Sequence, residues 1–166
     1  MNLISTLSLA VLLITVVGVY YLDATASATA KENASPAELF QYTPPYYFQP
    51  NDLVSNLTAF AFAFLFSLLF FGFSGVITGA IEGLKFGSIL SSILFTTTNT
   101  YGYIDILFII PQILAILAAS TLGQGVINDY HSRGNMTDEL KTTAKYLAIG
   151  LILTIAFYVI KTNTGA

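Results

Sequence analysis

The stretch GVITGAIEGLKFGSILS, residues 75–91, decides how the rest of the chain is read. Gly75, Gly79, Gly83, Gly87 and Ser91 recur at every fourth position, so on a helix they form one stripe of small side chains. Lipid removes the hydrophobic drive between membrane helices, and small-xxx-small spacing replaces it by letting a second backbone come close enough to pack. The stripe therefore predicts helix packing, against the chain's own helices or a partner subunit. It contains no reactive group.

The composition around this stretch sets the class. Of 166 residues, 55% are hydrophobic and 9% charged, and several uncharged runs approach the roughly 20 residues that cross a bilayer core. An all-α, polytopic transmembrane helical bundle of about five spans is expected, with the lipid bilayer as its surroundings and no room for a soluble catalytic domain. Six Lys and Arg, scattered along a chain of net charge -3, make no basic surface for nucleic acid. The absence of cysteine excludes disulfides, thiolate metal sites and cysteine nucleophiles.

Residues 1–22 read as an N-terminal anchor helix, ending in the interfacial pair Tyr20 and Tyr21. The A-x-A sites of Ala24 to Ala30 resemble signal-peptidase sites, but no Lys or Arg precedes the apolar run, so an uncleaved anchor is expected. Residues 23–52 carry four acidic side chains against one lysine and read as an external polar loop. Residues 53–166 form the helical membrane domain. One helix over Leu53 to Phe95 would be about 60 Å long, twice the hydrocarbon thickness, so the run must turn. Glu82, Gly83 and Lys85 interrupt it and predict the turn at Ile81 to Lys85. A short third helix from Leu84 follows, either completing its crossing through Thr96 to Tyr103 or re-entrant.

A fourth helix is expected over Tyr103 to Ile127, kinked by Pro111, and a fifth over Tyr146 to Ile160. His131, Arg133, Lys141 and Lys145 make Asn128 to Lys145 the densest basic stretch, which the positive-inside rule places in the cytoplasm. Five crossings then put the N-terminus in the cytoplasm and the C-terminus outside the cell membrane.

From about Asn51 onward the order of features resembles the stage II sporulation protein M family, a multispan membrane family of bacteria and archaea. The resemblance is carried by Asn51 to Asn56, by Phe71-Gly72-Phe73-Ser74-Gly75, and by Glu82-Gly83 and Phe86-Gly87. The family's P-H-G-x-x-E stretch is matched by Thr100 to Asp105, which keeps the glycine and the acidic residue and lacks the proline and histidine. The small-residue run Ala115 to Gly125 and the segment of Ser132, Arg133 and Leu140 complete it. The resemblance implies a non-enzymatic membrane scaffold, since the named bacterial member works with partner proteins in an envelope-remodelling complex.

Asp105 and Glu82 are the carboxylates nearest membrane depth, where an ionisable group is by default a functional candidate. Glu82 also stands three residues before Lys85, where helix geometry allows pairing, and Asp105 follows a tyrosine-bearing segment suited to the external interface. His131, the single histidine, has only Asp129 near it and falls short of a metal site; no metal or cofactor is expected. Ser120 and Thr121 lack a base at their depth, so no hydrolase triad is expected. Asn33, Asn56 and Asn135 head glycosylation-type triplets, of which only Asn33 is external in this topology.

Two functions follow as expectations. The first is a non-enzymatic scaffold or accessory subunit of a larger membrane protein complex, packing through the glycine stripe. The second is a small ion or solute transporter or channel that uses Glu82 and Asp105, with Pro111 and a re-entrant helix as its broken elements.

Overall fold

The computed structural model describes residues 3–30, 52–95, 103–131 and 136–164. They form α1 (Leu3–Ala30), α2 (Leu53–Leu68), a 3-10 turn (Leu69–Gly72), α3 (Gly75–Phe95), α4 (Tyr103–Leu107), α5 (Ile109–Tyr130) and α6 (Met136–Thr164), with no strand among the described residues. The architecture is an all-α helical bundle. Four segments, Leu3–Leu22, Leu53–Gly72, Ile104–Tyr130 and Met136–Asn163, are long and apolar enough to cross a membrane. Such a set makes this a multi-pass membrane protein. The first helix runs on past Leu22 to Ala30, so residues 23–30 belong to α1 and not to the expected external loop. Residues 31–51 of that loop, with Asn33, and the connections holding Thr100, Ser132, Arg133 and Asn135 lie outside the described residues.

Side-chain register shows how the passes are arranged. Gly79, Gly83 and Gly87 abut Ser8, Leu12 and Val16 in turn, so α1 and α3 run parallel. Gly75 meets Ile116 and Ser120, while Phe86, Ile89 and Ile93 cluster with Phe108, so α3 and α5 run antiparallel. Phe60 clusters with Ala115 and Phe71 touches Gly123, which makes α2 parallel to α5. Gly125 against Glu139 and Gly150 against Leu114 set α6 antiparallel to α5. Consecutive passes thus alternate in direction, with the α2–α3 turn and the α5–α6 connection at one end.

The turn between the second and third helices lies at Leu69 to Ser74, not at Ile81 to Lys85. Gly72 adopts φ 93, a left-handed conformation that glycine takes without a Cβ clash, and Phe70 and Phe71 follow it there with φ 52 and 59. Ser74 Oγ lies 2.5 Å from the Phe66 carbonyl oxygen and 2.6 Å from that of Leu69, capping the end of α2. Gly83 does not break α3, because its missing side chain is what admits α1. The third helix therefore begins at Gly75 instead of Leu84 and has 21 residues, about 31 Å at 1.5 Å per residue.

The last helix also starts earlier than Tyr146, at Met136. Asp138 and Glu139 occupy its first turn and Lys161 its last, each sign suited to its end of the helix dipole. At the opposite end of the bundle Asp52 caps α2, accepting from Val54 N at 3.1 Å and Ser55 N at 3.2 Å. The hydrogen bond from the Ser55 hydroxyl, with those two amides, holds the Asp52 carboxyl below its ordinary pKa.

Candidate functional site

The glycine stripe lies on α1. A methyl group built on Gly79 would stand 2.5 Å from the Ser8 carbonyl oxygen, and one on Gly83 2.7 Å from both the Leu12 carbonyl oxygen and Thr15 Cβ. On Gly87 it would meet Val19 Cβ at 2.8 Å, and on Gly75 the Ser8 hydroxyl at 3.1 Å. Four of these five neighbours are backbone or Cβ atoms, so the two helices touch main chain to main chain. Ser91 continues α3, but its side chain is outside the described residues. Of the two surfaces the stripe could serve, the chain's own first helix occupies Gly75 to Gly87.

Glu82 and Lys85 sit on the adjoining face of α3, joined by an ion pair of 2.9 Å. Glu82 is buried, and Lys85 Nζ lies 5.1 Å from the centre of the Phe86 ring. Gly83, between them, packs on Leu12, which is halfway along the apolar segment Leu3–Leu22. The pair is therefore near the middle of the apolar layer, not at the cytoplasmic turn expected for Lys85. Charge at that depth is tolerated because the two side chains neutralise one another on a single helix.

Asp105 is completely buried and forms an ion pair with Lys161, itself 5% exposed. Helix α4 brings the carboxylate and the last turn of α6 the ammonium, from positions 56 residues apart. The edge-on pair of Phe108 and Phe157, ring centres 5.8 Å apart, closes the same α5–α6 seam one turn further in. The helix is divided at Phe108, between α4 and α5 and three residues before Pro111, although Phe108 itself keeps right-handed helical dihedrals, φ -64 and ψ -10. Proline has no N–H to give the Leu107 carbonyl, which loosens the hydrogen bonding at this junction.

A third polar group joins Asn56, which the sequence offered only as the head of a glycosylation-type triplet, to Gln112, for which the sequence suggested no role. Asn56 and Gln112 are 1% and 2% exposed, and neither amide of Asn56 nor Oε1 of Gln112 has a hydrogen-bond partner among the described residues. One turn back from Phe60 and Ala115 on the parallel helices α2 and α5 come Asn56 and Pro111. One turn from Phe86 and Phe108 on the antiparallel helices α3 and α5 come Glu82 and Gln112. Asn56, Glu82 and Gln112 thus share one layer of the bundle, beside the Pro111 break. Their signal in the sequence was an isolated amide on the buried face of an apolar run.

Ser120 donates to the Ile116 carbonyl of its own helix, and His131 is exposed and stacks edge-on with Tyr130. Among the described residues, no three His, Asp or Glu side chains come together as a metal would need. Compared with protein-family models, with curated proteins and with solved structures, the chain gives no match.

Proposed function

We propose that this protein is a non-enzymatic integral membrane scaffold or accessory subunit of a larger membrane protein complex. The observation that supports this reading is that both carboxylates inside the bundle, Glu82 and Asp105, are engaged by lysines of the same chain. A carboxylate held in an ion pair is poorly placed to act as a general acid or base or to carry an ion. The resemblance to the stage II sporulation protein M family points the same way. Large apolar side chains exposed along α6, including Ile152, Ile155 and Val159, leave apolar surface for lipid or for a neighbouring subunit.

In the proposed orientation the basic α5–α6 connection and the N-terminus are cytoplasmic and the C-terminus is external. Cysteines introduced at Ala28 and Ser132 then label from opposite faces of the membrane, and labelling of both from one face would overturn the orientation. Extraction in mild detergent tests the scaffold reading itself. The protein should migrate in an assembly with other membrane proteins in fixed ratio, and a lone monomer extracted from its native membrane would count against it.

The layer of Asn56, Glu82, Lys85 and Gln112 favours a second reading, a small ion or solute transporter or channel, because polar groups near mid-depth beside a broken helix are what such pathways use. Proteoliposomes separate the two. The scaffold reading expects ion flux no greater than in protein-free vesicles, and a flux abolished by Glu82→Gln would establish the alternative.

A further inference from the structure

Buried amides without partners are expensive in a bilayer, where no bulk solvent can reach them. Asn56 offers an unpaired acceptor, Oδ1, and unpaired donor hydrogens on Nδ2, while Gln112 offers a second acceptor, Oε1. A ligand that satisfies this set must accept and donate at once. A metal cation held by the two oxygens would leave Asn56 Nδ2 unsatisfied, and an anion held by Nδ2 would leave both oxygens unsatisfied. Water does both, and an internal water typically makes about three such bonds.

From this geometry we infer that the layer is a binding site for ordered water, which bridges Asn56 of α2 to Gln112 of α5. The place suits it. The Glu82–Lys85 pair lies in the same layer and supplies charge to orient a dipole. The inference does not depend on the scaffold reading: water here stabilises a static bundle as readily as it hydrates a pathway, and the two are told apart by the flux measurement above.

The test is water-edited solid-state NMR on the full chain in lipid bilayers, with asparagine and glutamine labelled by nitrogen-15. The Asn56 side-chain signal and the Leu12 methyl signals are assigned by sequential correlations in the unsubstituted protein, labelled with carbon-13 as well. Polarisation should pass from water to the Asn56 amide several-fold faster than to the methyl groups of Leu12, a fully buried residue that serves as the dry reference. In Gln112→Leu the transfer should fall toward that reference. A direct Asn56–Gln112 contact with no transfer from water would overturn the inference, as would transfer to Asn56 no faster than to Leu12. Because the deciding comparison is made in the unsubstituted protein, a variant that fails to fold leaves the test intact.

Discussion

Asp105–Lys161 and Glu82–Lys85 are both carboxylate–lysine pairs in apolar surroundings, yet they are attached to the fold in different ways. The first joins two helices across 56 residues of sequence, with both partners buried. The second is made three residues apart on one helix, with side chains 11% and 9% exposed. Separating α4 from α6 breaks the first pair, whereas Glu82 and Lys85 keep each other wherever α3 goes. A tertiary pair holds helices together; a local pair lets a helix carry charge through an apolar layer.

That difference ranks the effects of substitution. Lys161→Leu should be the most damaging, because it removes the cation that faces the fully buried Asp105 carboxylate; breaking a buried pair from one side is worth about 3–5 kcal/mol. Thermal unfolding in detergent measures it, and a loss below about 1 kcal/mol would mean that water reaches the Asp105 carboxylate. Asp105→Asn keeps the shape but removes the charge that balances the buried Lys161 ammonium, so it should also lose stability, and adding Lys161→Met should restore much of it. Glu82→Gln comes next, with about 1.5–3 kcal/mol as for a hydrogen bond to a charged group, because Lys85 is the less buried cation. Equal losses at Glu82 and Asp105 would erase the distinction between the pairs.

The contact of α3 with α1 sharpens it further. Gly83→Ala places a methyl group against the Leu12 carbonyl and Thr15 without touching either charge. Overpacking of this kind is worth about 1–3 kcal/mol. Crosslinking between cysteines on α1 and α3 should weaken in that variant, while the Glu82–Lys85 pair, local to α3, survives. The smallest effect is expected at Asp52, a partly exposed residue at the start of α2. Its lowered pKa means that the cap stabilises α2 at neutral pH, and that this contribution is lost as pH falls through the folded-state pKa. Asp52→Ala should abolish that acid dependence and lower the unfolding midpoint at pH 7 by the small contribution of the cap, leaving the midpoint at low pH unchanged.

What could be read in the sequence was whatever local spacing encodes. The apolar run of Leu3 to Leu22 marked α1, the four-residue glycine period marked a close helix contact, and the three-residue interval marked the Glu82–Lys85 pair. The partners across those contacts had no such signature. Nothing near Asp105 points to Lys161, because the antiparallel packing of α5 and α6 sets that meeting. The turn between α2 and α3 was displaced for a related reason. Glu82, Gly83 and Lys85 look like a helix breaker when read alone, and become helix interior once α1 fills the glycine face and the two charges cancel. Asn56 and Gln112 were legible as single polar residues in apolar runs, but their shared layer appears only when the registers of three helices are laid together.

The central claim is that the buried charges serve the fold as pairs, and charge reversal tests it most directly. Asp105→Lys and Lys161→Asp should each destabilise the bundle severely, while the double variant, which restores an ion pair of opposite polarity, should recover most of the unfolding temperature of the original protein. A double variant no more stable than either single reversal would show that Asp105 and Lys161 are needed for something other than each other.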